Sequence, residues 1–307
     1  MKSRPAKPPQ VIDELRPGQS IELLKELHIL TRDGKLNQDT RRKLKQVYHL
    51  YQFIEPLLTD VLRSNPAFTL ADHGAGKSYL GFILYDLFFN VAQASNGGQP
   101  AAGNTTGQFA GHVYGVETRA KLVEKSRALA AHLRFQRMSF VNLSVKDATT
   151  SAELPSHIDI VTALHACDTA TDDAIAFGLA KQAKHLVLVP CCQAEVAGVL
   201  RASRALNLSR TPLAELWRHP LHTREFGSQI TNVLRCLQLE ASGYNVTVTE
   251  LVGWEHSMKN ELILASRPAV PNSAKTKAAQ LRLQQVLAEL GLAQLTDRFA
   301  FKTTDML

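Results

Sequence analysis

Short apolar segments alternate with amphipathic stretches through the middle of the chain. Five segments have the length and composition of buried β-strands, at residues 68–71, 112–117, 139–145, 158–164 and 185–189. The stretches between them repeat apolar residues every three or four positions and predict helices over 78–92, 118–133 and 171–183. Regular alternation of strand and helix predicts a parallel sheet covered by helices on both faces.

Both ends of this pattern differ from its centre. Two more strands, over 244–252 and 261–266, are joined by a short connection and should therefore pair antiparallel. Before them we expect helices over 193–206 and 229–242 with an irregular segment between. The chain begins with two short helices over 11–30 and a long helix over 39–64, which Pro56 should kink or divide. It closes with an amphipathic stretch over 274–295.

These patterns predict four regions. Residues 1–10 form a disordered basic tail, 11–64 a helical region, 65–268 the α/β domain and 269–307 a helical tail. The chain of 307 residues carries a net charge of +7, which favours a polyanionic partner such as RNA or DNA. No run of apolar residues is long enough to span a membrane, and the basic N-terminus lacks the apolar core of a secretory signal. With four cysteines and no disulfide framework, a cytoplasmic location is expected.

A glycine-containing turn follows the first predicted strand and indicates a nucleotide-like ligand. Gly74 and Gly76 allow a tight turn and close approach to main-chain N–H groups, while Asp72 can accept from an amine of the ligand or cap the turn. A phosphate-binding P-loop requires a glycine where this chain has Ala71. A dinucleotide or S-adenosylmethionine (SAM) site instead requires an acid about 20 residues on, after the next strand. Glu117 meets that requirement once the 19-residue loop 93–111 is set aside.

Polar or reactive residues follow the other predicted strands too. Asp147 comes after the third strand, where a carboxylate can accept from an exocyclic amine of a purine or simply cap a helix. The turn His165–Asp168 follows the fourth strand, and Pro190-Cys191-Cys192 follows the fifth. Histidine and cysteine in these two turns echo a zinc deaminase, but the glutamate and the cysteine spacing of that signature are missing, so we expect no metal.

Basic residues are concentrated around the start of the long N-terminal helix. Cations at a helix N-terminus oppose the helix dipole, so local helix stability does not explain them. A phosphate backbone would explain them, although a solvated surface is the alternative. The candidates for nucleic-acid binding are Arg32, Lys35, Arg41, Arg42, Lys43 and Lys45.

Taken together, the motifs resemble those of class I SAM-dependent methyltransferases. The segments are DHGAGKSYLGF at 72–82, GVE at 115–117, KDA at 146–148, ALHACDTATDDA at 163–174, VPCCQ at 189–193 and MKNELILAS at 258–266. More narrowly, they resemble the methyltransferase-domain family shared by bacterial proteins of this size and the eukaryotic tRNA 2′-O-methyltransferase of the acceptor stem. The resemblance covers roughly residues 65–268 and implies a seven-stranded Rossmann-like sheet whose last strand is antiparallel.

The resemblance also implies roles for individual residues. SAM contacts are implied at Asp72, Gly74, Gly76, Glu117, Asp147, Ala148 and His165, and the turn from His165 to Asp168 should form a wall of the active site. Two positions depart from the pattern: Asp168 stands where eukaryotic members have glycine, and Tyr79 where many methyltransferases have a third glycine. The zinc module of the eukaryotic tRNA enzyme is absent.

The sequence therefore predicts a SAM-dependent methyltransferase, with SAM as cofactor and RNA, either tRNA or rRNA, as the favoured substrate. Proton removal from a hydroxyl acceptor could fall to His165 or Asp168, or to His256 or Lys259 in the late hairpin. The alternatives are methylation of a small molecule or a protein, and a non-catalytic RNA-binding protein with this fold.

Overall fold

A computed structural model describes residues 14–76, 78–95, 109–164, 166–191, 193–203, 212–251 and 261–301. Seven strands form one sheet in the order β3-β2-β1-β4-β5-β7-β6. The strands are β1 (Thr69–His73), β2 (His112–Val116), β3 (Met138–Val141), β4 (Ile160–Leu164), β5 (His185–Val189), β6 (Asn245–Glu250) and β7 (Glu261–Ser266). Strand β7 runs antiparallel to both of its neighbours, as predicted. The predicted fold class, a seven-stranded Rossmann-like methyltransferase sheet, is confirmed.

Helices cover both faces of the sheet. They are α1 (Ile21–Glu26), α2 (Gln38–Ser64), α3 (Tyr79–Leu84), α4 (Asn90–Ser95), α5 (Ala120–His132), α6 (Val145–Thr150), α7 (Thr169–Ala180), α8 (Glu195–Ser203), α9 (Pro220–Ala241) and α10 (Ser273–Glu289). A π-helical turn at Tyr85–Phe89 joins α3 to α4, and one 3-10 turn precedes α9. None of the described helices is long and apolar enough to cross a membrane.

Several element boundaries differ from the prediction. The strand predicted over 139–145 ends at Val141, because Ser144 caps a new helix by accepting a hydrogen bond from the Asp147 amide. Helix α9 starts nine residues before the predicted start at 229, with Pro220 in its first turn, where the missing N–H costs nothing.

Pro56 does not divide the long N-terminal helix, so that part of the prediction is wrong, while the kink stays a prediction. Helix α2 runs without a break from Gln38 to Ser64, and the proline lies inside it. Burial of Ile54 and Leu58 on either side of the proline fixes this part of the helix to the core, which outweighs the lost main-chain hydrogen bond.

The helical N-terminal region shares its core with the sheet. Leu44, Val47 and Leu50 of α2 belong to the same buried cluster as Leu80 and Ile83 of α3. The predicted boundary between a helical region and an α/β domain at residues 64 and 65 therefore falls within one continuous hydrophobic core. The division into regions remains a prediction.

A fully buried ion pair connects α7 to α9. The guanidinium of Arg235, with no exposed surface, donates to both carboxylate oxygens of Asp172 at 2.7 and 2.8 Å, and to the Asp168 carbonyl at 2.8 Å. Asn232 accepts from the same guanidinium at 3.1 Å. These four hydrogen bonds replace much of the hydration that the guanidinium charge loses on burial.

We expect the variant Asp172→Ala to lose about 3–5 kcal/mol of unfolding free energy, because it leaves the Arg235 charge buried without its partner. Urea denaturation of the purified protein measures this loss. The matched control is Asp173→Ala on the same helix, whose carboxylate is 46% exposed and pairs with Arg298 at 3.5 Å. This control should change stability by less than about 1 kcal/mol. Equal losses in the two variants would contradict the assignment.

Candidate active site

The turn after β1 crosses the end of β2 in a conformation that requires glycine. Gly74 and Gly76 both have positive φ, at 61° and 56°. The Ala75 amide donates to the Val116 carbonyl at 3.1 Å, which fixes the turn to the neighbouring strand. A side chain at Gly74 would make only ordinary contact with Ala166, 3.7 Å away, so backbone conformation rather than space is what selects glycine there.

Glu117 lies directly after β2 and contacts this turn. Its carboxylate accepts from the Gly76 amide at 2.7 Å. Arg119 forms a bidentate pair with the same carboxylate, its Nε donating to Oε1 and its Nη2 to Oε2, each at 2.9 Å. Chiefly through the Arg119 hydrogen bonds, the pKa of Glu117 is lowered to about 2. The acid predicted to bind a ribose is thus ionised and lies against Gly76.

Asp72 lies at the end of β1 on the opposite side of the turn, and it is buried. It accepts from the Thr162 hydroxyl at 2.8 Å, the Gly81 amide at 3.3 Å and the Ser78 hydroxyl at 3.5 Å. No cation is within ion-pair distance of it among the described residues. Burial therefore dominates and raises the pKa of Asp72 to about 6.

A cavity of about 370 Å³ opens beside Asp72. Ala75 of the glycine turn and Leu164 at the end of β4 line it, and α2 forms the facing wall. Apart from Asp72, Lys43 and Gln46, its lining side chains are apolar or aromatic, counting only the part of the chain that is described. Glu117 is not among the lining residues, so the turn separates it from this cavity.

The remaining predicted SAM contacts differ in exposure. Ala148 is fully buried, whereas Asp147 is exposed in the first turn of α6. The carboxylate of Asp147 accepts a hydrogen bond from the Ser144 hydroxyl at 2.5 Å, and Ser144 rather than Asp147 is the residue that caps the helix. His165, His256 and Lys259 lie outside the described residues.

Asp168 has an unusual backbone conformation and a structural contact. Its φ of 49° and ψ of −123° suit glycine better than a residue with a side chain. The carboxylate accepts from the amides of Ala194 and Glu195 at 2.9 and 3.2 Å, which caps the start of α8. Together with the Arg235 bond to its carbonyl, these contacts fix the turn after β4.

The basic residues predicted to bind nucleic acid lie together at the start of α2 and in the loop before it. Five are exposed, while Lys43 is half-buried and lines the cavity. Surface ion pairs join Arg41 to Glu14 at 2.9 Å and Lys43 to Asp39 at 2.9 Å. Exposed pairs of this kind contribute little stability and can exchange for a phosphate.

Sequence reasoning missed Arg119 and Arg235. Arg119 could have been noticed as a cation two residues after the ribose-binding candidate. The signal for Arg235 was an arginine among the leucines of an amphipathic helix, with Asp172 in the motif ALHACDTATDDA as its possible partner. Choosing that partner from the sequence requires knowing that α7 and α9 are in contact.

This sheet, with its reversed seventh strand and its glycine turn after β1, defines a class I SAM-dependent methyltransferase. A family model described as a methyltransferase domain matches residues 42–199, just over half of the chain, and the protein belongs to that family. SAM is the cofactor of this class, as the sequence predicted.

Comparisons with other proteins give only distant likenesses. Magnesium protoporphyrin IX methyltransferase from Synechocystis PCC 6803, solved with bound SAH, is 16% identical over 80% of this chain and 93% of its own, with a TM-score of 0.41. An rRNA methylase from Streptococcus thermophilus is 8% identical over 66% and 88%, with a TM-score of 0.40. Aeropyrum pernix fibrillarin, solved with SAM, is 10% identical over 65% of this chain and 66% of its own, with a TM-score of 0.36. No curated protein matches in sequence.

The raised pKa of Asp72 makes a prediction about stability. An acid whose pKa is higher in the folded than in the unfolded state stabilises the fold only at low pH, and this contribution is lost as the pH rises through about 6. Between about pH 4.5 and about pH 7.5, wild type should therefore lose about 2 kcal/mol relative to Asp72→Asn. Urea denaturation of both proteins at the two pH values measures the difference. A constant difference would show that Asp72 is not protonated in the folded protein.

Proposed function

We propose that this protein transfers the methyl group of SAM to an acceptor in RNA. The cofactor would lie across the carboxyl ends of β1 and β2. Its ribose hydroxyls would donate to Glu117, and the molecule would lie against the main chain of Gly74 and Gly76. When bound, SAM supplies a methyl group on a positively charged sulfur. The protein's own residues have to orient the cofactor and the acceptor, keep water away and, for a hydroxyl acceptor, take up a proton.

The described residues fit such a cofactor. Glu117 is ionised and bonded to the turn, so it offers an acceptor at the position where the class binds ribose. Among the described residues no cation lies near the Asp72 carboxylate, and a positively charged ligand would relieve part of its desolvation. Asp147 accepts from Ser144 through one carboxylate oxygen and would offer the other to a purine amine, while Ala148 would contribute apolar contact.

One observation carries the choice of RNA: α2 both bears the basic cluster and walls the cavity beside Asp72. Lys43 belongs to both, since it lines the cavity and lies within the run from Arg41 to Lys45. A polyanion bound along the start of α2 would therefore lie next to the cavity, where an extruded nucleotide could enter. The net charge of +7 adds long-range attraction for such a ligand.

His165 and Asp168 remain the proposed catalytic residues. Both are in the turn that follows β4, next to Leu164, which lines the cavity. The bonds that Asp168 accepts from the start of α8 make it a positioning residue as well, because they fix the described end of this turn. We propose that the acceptor approaches this turn from the side of α2.

A second candidate function has one observation in its favour. The wall of the cavity is mostly apolar, through residues such as Val47, Leu50 and Ile83, and would suit a small apolar acceptor without any nucleic acid.

Mass spectrometry of modified nucleosides from cells with and without the gene tests the RNA proposal directly. Loss of one modified nucleoside supports RNA, and an unchanged nucleoside profile supports the small-molecule alternative.

Replacement of Glu117 should weaken SAM binding. Because the Glu117→Ala variant lacks the charged acceptor for the ribose hydroxyls, we expect the Kd for SAM to rise roughly 10- to 100-fold. Isothermal titration calorimetry measures the change. Glu124→Ala, an exposed acid on α5, is the control and should bind as wild type does. Equal affinities for all three proteins would place SAM elsewhere.

Charge reversal in the basic cluster should weaken RNA binding. The triple variant Arg41→Glu, Arg42→Glu and Lys45→Glu removes cations that would replace counterions on RNA, so the slope of log affinity against log salt should flatten by about 0.7 per lost phosphate contact. Filter binding of cellular tRNA between about 50 and about 200 mM salt measures the slope.

The matched control reverses three exposed cations on a distant helix, Lys275, Lys277 and Arg282 of α10. It changes the net charge by the same amount, so it separates a local binding surface from general electrostatic attraction. If both triple variants lose affinity equally, the cluster on α2 is not the binding surface.

A further inference from the structure

Two cysteines from different turns are brought into contact at the edge of the sheet where the proposed chemistry takes place. Leu164 pairs with Val189 in parallel register at the ends of β4 and β5, and each strand is followed by a turn that carries a thiol. Cys167 lies three residues after Leu164, and Cys191 lies two residues after Val189. Their Sγ atoms are 3.2 Å apart.

This separation is close to that of a covalent pair. A disulfide has an S–S distance of about 2.05 Å, so the sulfur atoms have to approach by only about 1 Å. Cys167 is exposed, and a dissolved oxidant can reach it, while Cys191 is half-buried beside it. An exposed thiol next to a second, resolving thiol is the usual arrangement of a reversible redox pair.

We infer that Cys167 and Cys191 form a site of reversible oxidation, closed by hydrogen peroxide and reopened by a dithiol. The exposed Cys167 sulfur takes one oxygen from the peroxide and becomes a sulfenic acid, and the rest of the peroxide leaves as water. The Cys191 sulfur then attacks the sulfur of this sulfenic acid and forms the S–S bond. The sulfenic oxygen leaves as a second water, which carries the two thiol protons. The sulfur atoms supply both electrons that reduce the peroxide.

Closing this bond would alter the turn that carries His165 and Asp168. Cys167 precedes Asp168, whose carbonyl and carboxylate are held by Arg235 and by the start of α8. Moving Cys167 toward Cys191 therefore strains contacts that position the turn. A displacement of about 1 Å in an active site can reduce turnover on the order of 100-fold. For this effect on activity, the inference rests on the proposed function; the disulfide itself does not.

Cys236 provides a matched control within the same chain. It lies in α9, and burial raises the pKa of its thiol to about 12, so it has no thiolate for reaction near neutral pH. The variants Cys167→Ser and Cys191→Ser should abolish the cross-link, whereas Cys236→Ser should leave it intact.

The test treats the full-length reduced protein with hydrogen peroxide, blocks the remaining thiols and maps the non-reduced peptides by mass spectrometry. We expect a linkage between Cys167 and Cys191, loss of two of the four thiols, and recovery of both with dithiothreitol. Linkage of Cys167 to another cysteine, or oxidation of Cys167 without any linkage, would overturn the inference.

Methyl transfer to RNA, measured on the same samples, tests the effect on the turn. Turnover should fall on the order of 100-fold in the cross-linked protein and return after reduction. Full turnover in completely cross-linked protein would overturn the regulatory effect. Absence of turnover in the reduced protein would instead count against the proposed function, and peptide mapping would still decide whether the disulfide forms.

Discussion

The parallel register of the central strands is the constraint on which the rest of the site depends. Strand β1 pairs with β2 and β4, and β4 pairs with β5, all in one direction, so their carboxyl ends lie along one edge of the sheet. Residues far apart in the chain meet there, as Asp72 does with the hydroxyl of Thr162. A slip of one residue in this pairing would turn each side chain to the opposite face and separate them.

One short turn joins two carboxylates in opposite electrostatic environments. Asp72 is buried with no cation near it among the described residues, and desolvation raises its pKa to about 6, whereas hydrogen bonds from Arg119 lower the pKa of Glu117 to about 2. A positively charged ligand would gain most binding energy from Asp72, and a ligand that donates hydroxyl hydrogen bonds would gain most from Glu117. The turn between them holds Gly74 and Gly76 at positive φ.

The long helix α2 contributes both to the cavity beside Asp72 and to the basic surface that is proposed to bind RNA. Its apolar face belongs to the core that includes α3, so the helix is an integral part of the fold. Its first turns place Lys43 at the cavity and the neighbouring basic residues in solvent. The family match begins at residue 42, inside this helix, which agrees with a core that extends across the predicted domain boundary.

The sequence by itself determined the α/β class, the antiparallel last pair and the carboxylates at the strand ends, because these follow from local periodicity and from spacing along the chain. It did not determine that Pro56 is accommodated within α2, that α9 begins at Pro220 or that Arg235 pairs with Asp172. Nor did it determine that Cys167 lies 3.2 Å from Cys191. Those features depend on which elements pack together, and contacts between distant segments leave little trace in local patterns. Only the tertiary structure decided them, since burial and strand pairing bring together residues that are far apart in the sequence.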